Sequence, residues 1–121
     1  MIFLPGELRK GRKGLLEIDE ITRLLVDYLH PKRIYLFGSV ARGDDGPDSD
    51  LDFGVVLPDD VPENLYRPSV HRALMGVGTA TDVVRWPASD FDARATHVAA
   101  SLPAIIVREG RLLYDARRAA V

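Results

Sequence analysis

The segment that decides the fold runs from Ile34 to Leu57 and reads IYLFGSVARGDDGPDSDLDFGVVL. It consists of an apolar stretch typical of a strand, a Gly-Ser turn, a polar loop, and a second strand-like stretch that opens with carboxylates at alternate positions. Because strand residues two apart share a face, Asp50 and Asp52 are expected to point the same way. Carboxylates crowded together repel each other unless a cation lies between them. The pattern therefore predicts a cation site at the start of the second strand.

The chemistry of this segment favours Mg²⁺ and a phosphate. Hard oxygen ligands suit Mg²⁺, which takes one or two carboxylates and completes its shell with water and substrate phosphates. Backbone N–H groups in the turn at Gly38 and Ser39 can hold a phosphate. We therefore expect a phosphate cradle directly ahead of a metal site.

The composition is that of a soluble globular protein of one domain. The chain has 121 residues, of which 46% are apolar and 28% are charged. The net charge of -2 gives no overall attraction to nucleic acid or to an acidic membrane. The absence of cysteine excludes disulfides and thiolate zinc sites and is compatible with a reducing cytoplasm. No stretch approaches the roughly 20 apolar residues of a membrane helix, so we expect a cytoplasmic protein.

Hydrophobic periodicity predicts a mixed α/β or α+β domain over residues 1–121, with residues 1–13 as a solvated arm or edge strand. Around the segment above, the pattern indicates a helix over 15–29, a strand over 80–86, helices from about 87 and 103, and an edge strand at 112–114. We expect a small mixed sheet with helices packed on one face and the aspartates on the other. Ser39 and Ser89 are expected to cap helices.

Three further expectations concern a helix face, a glycine and the tryptophan. Phe91, Ala95, Val98 and Leu102 would form one buried line. Gly54, beside the carboxylates, would leave space for a ligand to approach. Trp86 could stack on a base, but core packing at a strand end is the favoured interpretation.

Asp82 is the candidate third carboxylate. It lies inside an apolar β stretch, where an Asp is otherwise costly. With Asp50 and Asp52 it would complete a site for two Mg²⁺ ions about 4 Å apart, which stabilise the attacking and leaving oxygens of an in-line displacement at phosphorus. The alternatives are an edge-strand charge for Asp82 and a solvated strand face for the pair.

These motifs resemble those of the DNA polymerase β-like nucleotidyltransferase superfamily, and most closely those of the minimal nucleotidyltransferases, or MNT proteins. The family pattern is Gly-Ser-x-Ala-Arg-Gly, a loop, Ser-Asp-x-Asp, and a later Asp in a strand. It is matched here by Gly38, Ser39, Arg42, Gly43, Ser49, Asp50, Asp52 and Asp82. The closing REGRLLYD, residues 108–115, is similar to the family's usual ending. The resemblance implies the polymerase β-like nucleotidyltransferase fold.

The resemblance also implies roles for the matched residues. The catalytic metal ligands would be Asp50, Asp52 and Asp82. The nucleotide-binding residues would be Gly38, Ser39, Arg42 and Ser49. Two Mg²⁺ ions and ATP would be needed, and AMP would pass to a hydroxyl group.

A partner protein is implied in the same way. MNT proteins are often paired with a helical HEPN-domain RNase toxin, and some neutralise it by transferring AMP to one of its tyrosines. The chain is therefore expected to be a protein adenylyltransferase that acts as an antitoxin, with its acceptor on another chain. Neither a nucleic-acid nor a membrane partner is expected, and self-association is left open.

Two other functions stay open at this point. A non-catalytic antitoxin would neutralise its partner by binding alone. A small-molecule nucleotidyltransferase would act on an aminoglycoside-like hydroxyl, and it would need an acceptor pocket that the sequence does not obviously provide.

Overall fold

The computed structural model describes residues 15–43, 50–60, 74 and 81–119. Within these ranges the elements are α1 (Leu15–Leu29), β1 (Arg33–Phe37), α2 (Gly38–Arg42), β2 (Leu51–Leu57), β3 (Thr81–Pro87), α3 (Ala88–His97), α4 (Leu102–Glu109), β4 (Arg111–Asp115) and α5 (Ala116–Ala119). The predicted mixture of helices and strands is confirmed, and α5 is an addition to it. None of these helices is long and apolar enough to cross a membrane. The arm at 1–13 lies outside the described residues.

The strands form one sheet in the order β3-β2-β1-β4. β1 pairs antiparallel with β2 and with β4, whereas β2 pairs parallel with β3. The central place of β1 follows from its sequence, because Ile34 and Leu36 are buried in one cluster while Tyr35 and Phe37 pack against another. The predicted mixed sheet is therefore confirmed, with β4 at an edge as expected.

Helix α1 covers one face of this sheet. Its buried stripe, at three- and four-residue steps, consists of Ile18, Ile21, Leu25 and Leu29. The stripe packs in one cluster with alternate residues of β2, namely Leu51, Phe53, Val55 and Leu57. Tyr28, three residues after Leu25, is 42% exposed and does not belong to the buried stripe. Thr22 is buried in α1, where its hydroxyl donates to the carbonyl of Ile18 at 2.7 Å.

Helices α3 and α4 pack on the opposite face. The second buried cluster consists of Val56, Ala88, Phe91 and Ile106. Phe91 stacks on Tyr35 at 5.6 Å and meets Trp86 edge-on at 5.3 Å, which confirms the core role of Trp86. Helices therefore lie on both faces of the sheet, whereas the sequence indicated one. The candidate carboxylates share their face with this second cluster.

Both predicted serine caps are wrong. α2 begins at Gly38 with Phe37 in the N-cap position, so Ser39 lies inside the first turn. α3 begins at Ala88, and the backbone N–H of Ser89 donates to Oδ1 of Asp59 at 2.9 Å. This hydrogen bond holds the pKa of Asp59 below its ordinary value. The carboxylate of Asp59, two residues after the end of β2, therefore caps α3.

The predicted buried line through α3 and α4 is correct at Phe91 and wrong further along. Val98 and Leu102 are 49% and 38% exposed. α3 ends at His97, and the side chain of Ser101 then accepts a hydrogen bond from the backbone N–H of Ala104 at 3.2 Å to begin α4. The helical periodicity does not continue across this turn.

Gly110 lies where α4 returns to the sheet, and its replacement is expected to destabilise the fold. A Cβ atom there would lie 2.6 Å from the carbonyl oxygen of Ile106 and 2.9 Å from that of Leu36. Both neighbours are backbone atoms and cannot rotate away, so Gly110→Ala should lower the free energy of unfolding by about 1–3 kcal/mol, as overpacking does. Urea denaturation measures this, and an unchanged midpoint would contradict the packing described.

Candidate active site

The Gly38-Ser39 turn and the carboxylate of Asp52 meet at the end of β1. Phe37, the last residue of β1, pairs with Asp52 of β2. The next residue, Gly38, has a φ of 80°, a region that favours glycine. A Cβ atom on Gly38 would collide with Oδ2 of Asp52 and lie 3.3 Å from its Cγ. The Asp52 carboxylate therefore packs directly against the Gly38 backbone.

Asp82 lies beside Asp52. β2 and β3 run parallel with these two residues in register. Neighbouring strands lie about 4.8 Å apart, so the two carboxylates leave adjacent positions of the sheet. Both point away from α1, because Leu51 and Phe53 on either side of Asp52 pack in the α1 cluster.

Asp50 lies immediately before β2 and is exposed. The strand was expected to include it, so its relation to Asp52 is not fixed by the pleat. The pKa of Asp52 nevertheless depends on the neighbouring charges. Burial raises this pKa above 3.8, the charges of Asp82 and Asp50 raise it further, and the charge of Arg42 lowers it. The three carboxylates and Arg42 thus form one electrostatic group.

The remaining candidates lie around this group. Ser39 is half-buried in the first turn of α2, and Arg42 is its exposed last residue. Ser49 and the acidic loop at 44–48 lie outside the described residues. The structure thus brings together Gly38, Asp52 and Asp82 most directly.

Gly54 does not leave space for a ligand. It is buried, and a Cβ atom on it would lie 3.2 Å from Cδ1 of Ile106 and 3.4 Å from the Trp86 ring. The small residue is needed because α4 packs closely over β2. The expectation of ligand space at this position is therefore wrong.

The sequence matches a known protein family over the region that holds these residues. A family profile described as nucleotidyltransferase domain matches residues 15–112. The chain belongs to this family. No curated protein matches the sequence.

Solved structures with a similar fold include toxin–antitoxin complexes. A toxin–antitoxin with AMP-PNP is 24% identical, with a TM-score of 0.57 over 87% of this chain and 77% of that chain. The toxin–antitoxin MntA-HepT is 21% identical, with a TM-score of 0.52 over 86% of this chain and 74% of that chain. At these identities the likeness establishes the fold of this nucleotidyltransferase domain.

The carboxylates of the nucleotidyltransferase domain fit a hard divalent cation bound together with a phosphate. In the part of the chain that the structure describes, no three His, Cys, Asp or Glu side chains are arranged as a ready metal cage. Mg²⁺ does not need one, because it uses one or two carboxylates and takes its other ligands from water and phosphates. Burial and then the charges of Asp82 and Asp50 raise the pKa of Asp52, and a cation bound between Asp52 and Asp82 would relieve the repulsion.

The raised pKa of Asp52 predicts that the wild type and an Asp52→Asn variant differ in stability, by an amount that depends on pH, in metal-free buffer. A raised pKa in the folded state means that ionising Asp52 costs folding free energy. The contribution of Asp52 to stability should therefore fall as pH rises from 3.8 through the raised pKa, and Asp52→Asn should melt higher than the wild type at pH 7. The difference should shrink at acidic pH, where the wild-type carboxyl is also neutral. Melting curves from pH 3 to 7 in EDTA test this, and a variant less stable at pH 7 would contradict it.

Proposed function

We propose that this chain is a Mg²⁺-dependent nucleotidyltransferase that transfers AMP from ATP to a hydroxyl group. The observation that carries the proposal is the contact of Asp52 with the Gly38 backbone, with Asp82 beside it on the next strand. Membership of the nucleotidyltransferase domain family supports the type of reaction. AMP-PNP in a toxin–antitoxin of similar fold supports ATP as the donor.

Different residues would bind the phosphates and the cation. Backbone N–H groups at Gly38 and Ser39 hold the phosphates that leave, with the positive charge of Arg42 nearby. Asp50, Asp52 and Asp82 would hold Mg²⁺, which when bound would supply positive charge against the phosphates and the acceptor oxygen.

The transfer conserves every atom of the two substrates. The acceptor oxygen forms a bond to the α-phosphorus, the bond from that phosphorus to the β-phosphate oxygen breaks, and pyrophosphate leaves. Asp82 is exposed on the edge strand β3 and is therefore suited to receive the proton of the acceptor hydroxyl. Asp52, half-buried against Gly38, is held in a fixed position beside the turn that would bind the phosphates.

The acceptor we propose is a tyrosine of a HEPN-domain toxin, so that the chain acts as an antitoxin. The support is the similarity of fold to toxin–antitoxin complexes, among them MntA-HepT. Sequence motifs of the MNT type point in the same direction.

Labelled ATP tests the reaction. Label in the α-phosphate should become covalently attached to the purified HEPN toxin when Mg²⁺ is present, and label in the γ-phosphate should not. Transfer of the γ-label would identify a kinase instead. Absence of transfer from all four nucleoside triphosphates would refute the proposed activity.

A further inference from the structure

Phe37 is the residue of β1 that lies directly opposite Asp52. The two are partners in the antiparallel register of β1 and β2. Side chains of directly opposed residues leave the same face of the sheet, with their Cβ atoms about 5 Å apart. Phe37 packs against the apolar cluster under α3 and α4, which lies on this face. An aromatic ring is therefore the neighbour of Asp52 on the β1 side, as Asp82 is on the β3 side.

The Phe37 ring and the Asp52 carboxylate extend in opposite directions along the strands. Cε1 of Phe37 lies 3.7 Å from the position that a Cβ atom on Gly54 would take. Because Gly54 is paired with Tyr35, the ring reaches it diagonally across the ladder. The Asp52 carboxylate instead packs against Gly38, the residue that follows Phe37. The ring thus lies on the side of the apolar cluster, and the carboxylate lies on the side of the turn.

Packing holds the Phe37 ring in this place. Ile106 of α4 and the Trp86 ring of β3 close around the same glycine, Gly54, and its lack of a side chain leaves the space that the three side chains share. Phe37 also occupies the N-cap position of α2, but its side chain makes no capping hydrogen bond there. The contribution of this half-buried ring is therefore its packing.

A ring fixed between the carboxylate and the apolar cluster limits where the carboxylate can lie. We propose that Phe37 is a positioning residue for the cation site, because its ring fills the space into which Asp52 would otherwise rotate and keeps the carboxylate against Gly38. The inference rests on the proposed function, which assigns Mg²⁺ to this carboxylate. Groups that orient a metal ligand contribute about 10–100-fold to metal affinity or activity.

Phe37→Leu tests this role, with Tyr35→Leu as a matched control. Leucine keeps an apolar side chain but is too short to fill the space of the ring. Tyr35 is half-buried against the same cluster and stacks on Phe91, but it lies opposite Gly54 and not opposite Asp52. Both variants should melt at a lower temperature than the wild type, because both loosen this cluster. If Phe37→Leu does not fold, Phe37→Met, which is closer in volume, replaces it in the same comparison.

Mn²⁺ is the probe that separates positioning from stability. Titration of Mn²⁺ alone, followed by the relaxation rate of water protons, should show about tenfold weaker binding to Phe37→Leu than to the wild type. The Mg²⁺ concentration that gives half the maximal transfer rate should rise by a similar factor. Tyr35→Leu should match the wild type in both measurements. A crystal structure of Phe37→Leu without metal should show the Asp52 carboxylate turned away from Gly38.

The outcomes separate this inference from the proposed reaction. Unchanged or tighter Mn²⁺ binding by Phe37→Leu would overturn the positioning role, as would an equal loss of affinity in Tyr35→Leu or an Asp52 carboxylate that has not moved. A wild type that binds Mn²⁺ but transfers no nucleotide would overturn the reaction, while the Mn²⁺ affinities would still decide the role of Phe37. A wild type that binds no Mn²⁺ would overturn the cation site and this inference with it.

Discussion

Asp52→Asn is expected to lower nucleotidyl transfer by more than about a hundredfold, because even residues that only support a metal ligand cost about 10–100-fold when they are changed. The substitution keeps the shape of the side chain against Gly38 but removes the charge that would hold the cation. The protein should stay folded, because the variant loses the repulsion from Asp82 and Asp50. Initial rates with α-labelled ATP measure the effect.

Asp→Asn substitutions at other positions show whether the loss of transfer depends on a charge at this site or on any lost carboxylate. Asp27→Asn, on the exposed surface of α1, should transfer at the wild-type rate. Asp82→Asn should lose activity as Asp52→Asn does. A fully active Asp52→Asn protein would refute the metal assignment. If that variant is inactive but still protects cells from the toxin, neutralisation works by binding alone.

Gly38→Ala is expected to impair both the fold and the reaction. A residue with a side chain resists a φ of 80°, which costs roughly 1–2 kcal/mol. In addition, the new Cβ atom would occupy the position of Oδ2 of Asp52 and displace that carboxylate. Because catalytic geometry is sensitive to shifts of about 1 Å, we expect transfer to fall by about a hundredfold.

Gly43→Ala separates these two effects. Gly43 ends α2 with a φ of 81°, nearly that of Gly38, but a Cβ atom on it would meet nothing within 4 Å. The variant should therefore lose roughly 1–2 kcal/mol of stability from backbone strain alone and keep its transfer rate. Equal loss of activity in both variants would show that the contact of Gly38 with Asp52 has no catalytic consequence.

The local parts of the fold and site could be predicted from the sequence. The strand-like stretch that ends at Leu57 identified β2, and helical spacing identified α1. These features depend on contacts between residues close in sequence, or on a single buried face. The Gly-Ser turn ahead of the carboxylates could be recognised for the same reason.

The remaining features depend on partners far away in the sequence. Nothing local reveals that β3 lies parallel to β2 with Asp82 in register with Asp52. The cap on α3 comes from Asp59, and the small size of Gly54 is required by Ile106.

The mass of the HEPN toxin tests the central claim most directly. Toxin produced together with the wild-type chain should gain the mass of AMP on a tyrosine, and toxin produced with the Asp52→Asn variant should not. A toxin that is neutralised by the wild-type chain while its mass stays unmodified would contradict the claim that this site transfers a nucleotide.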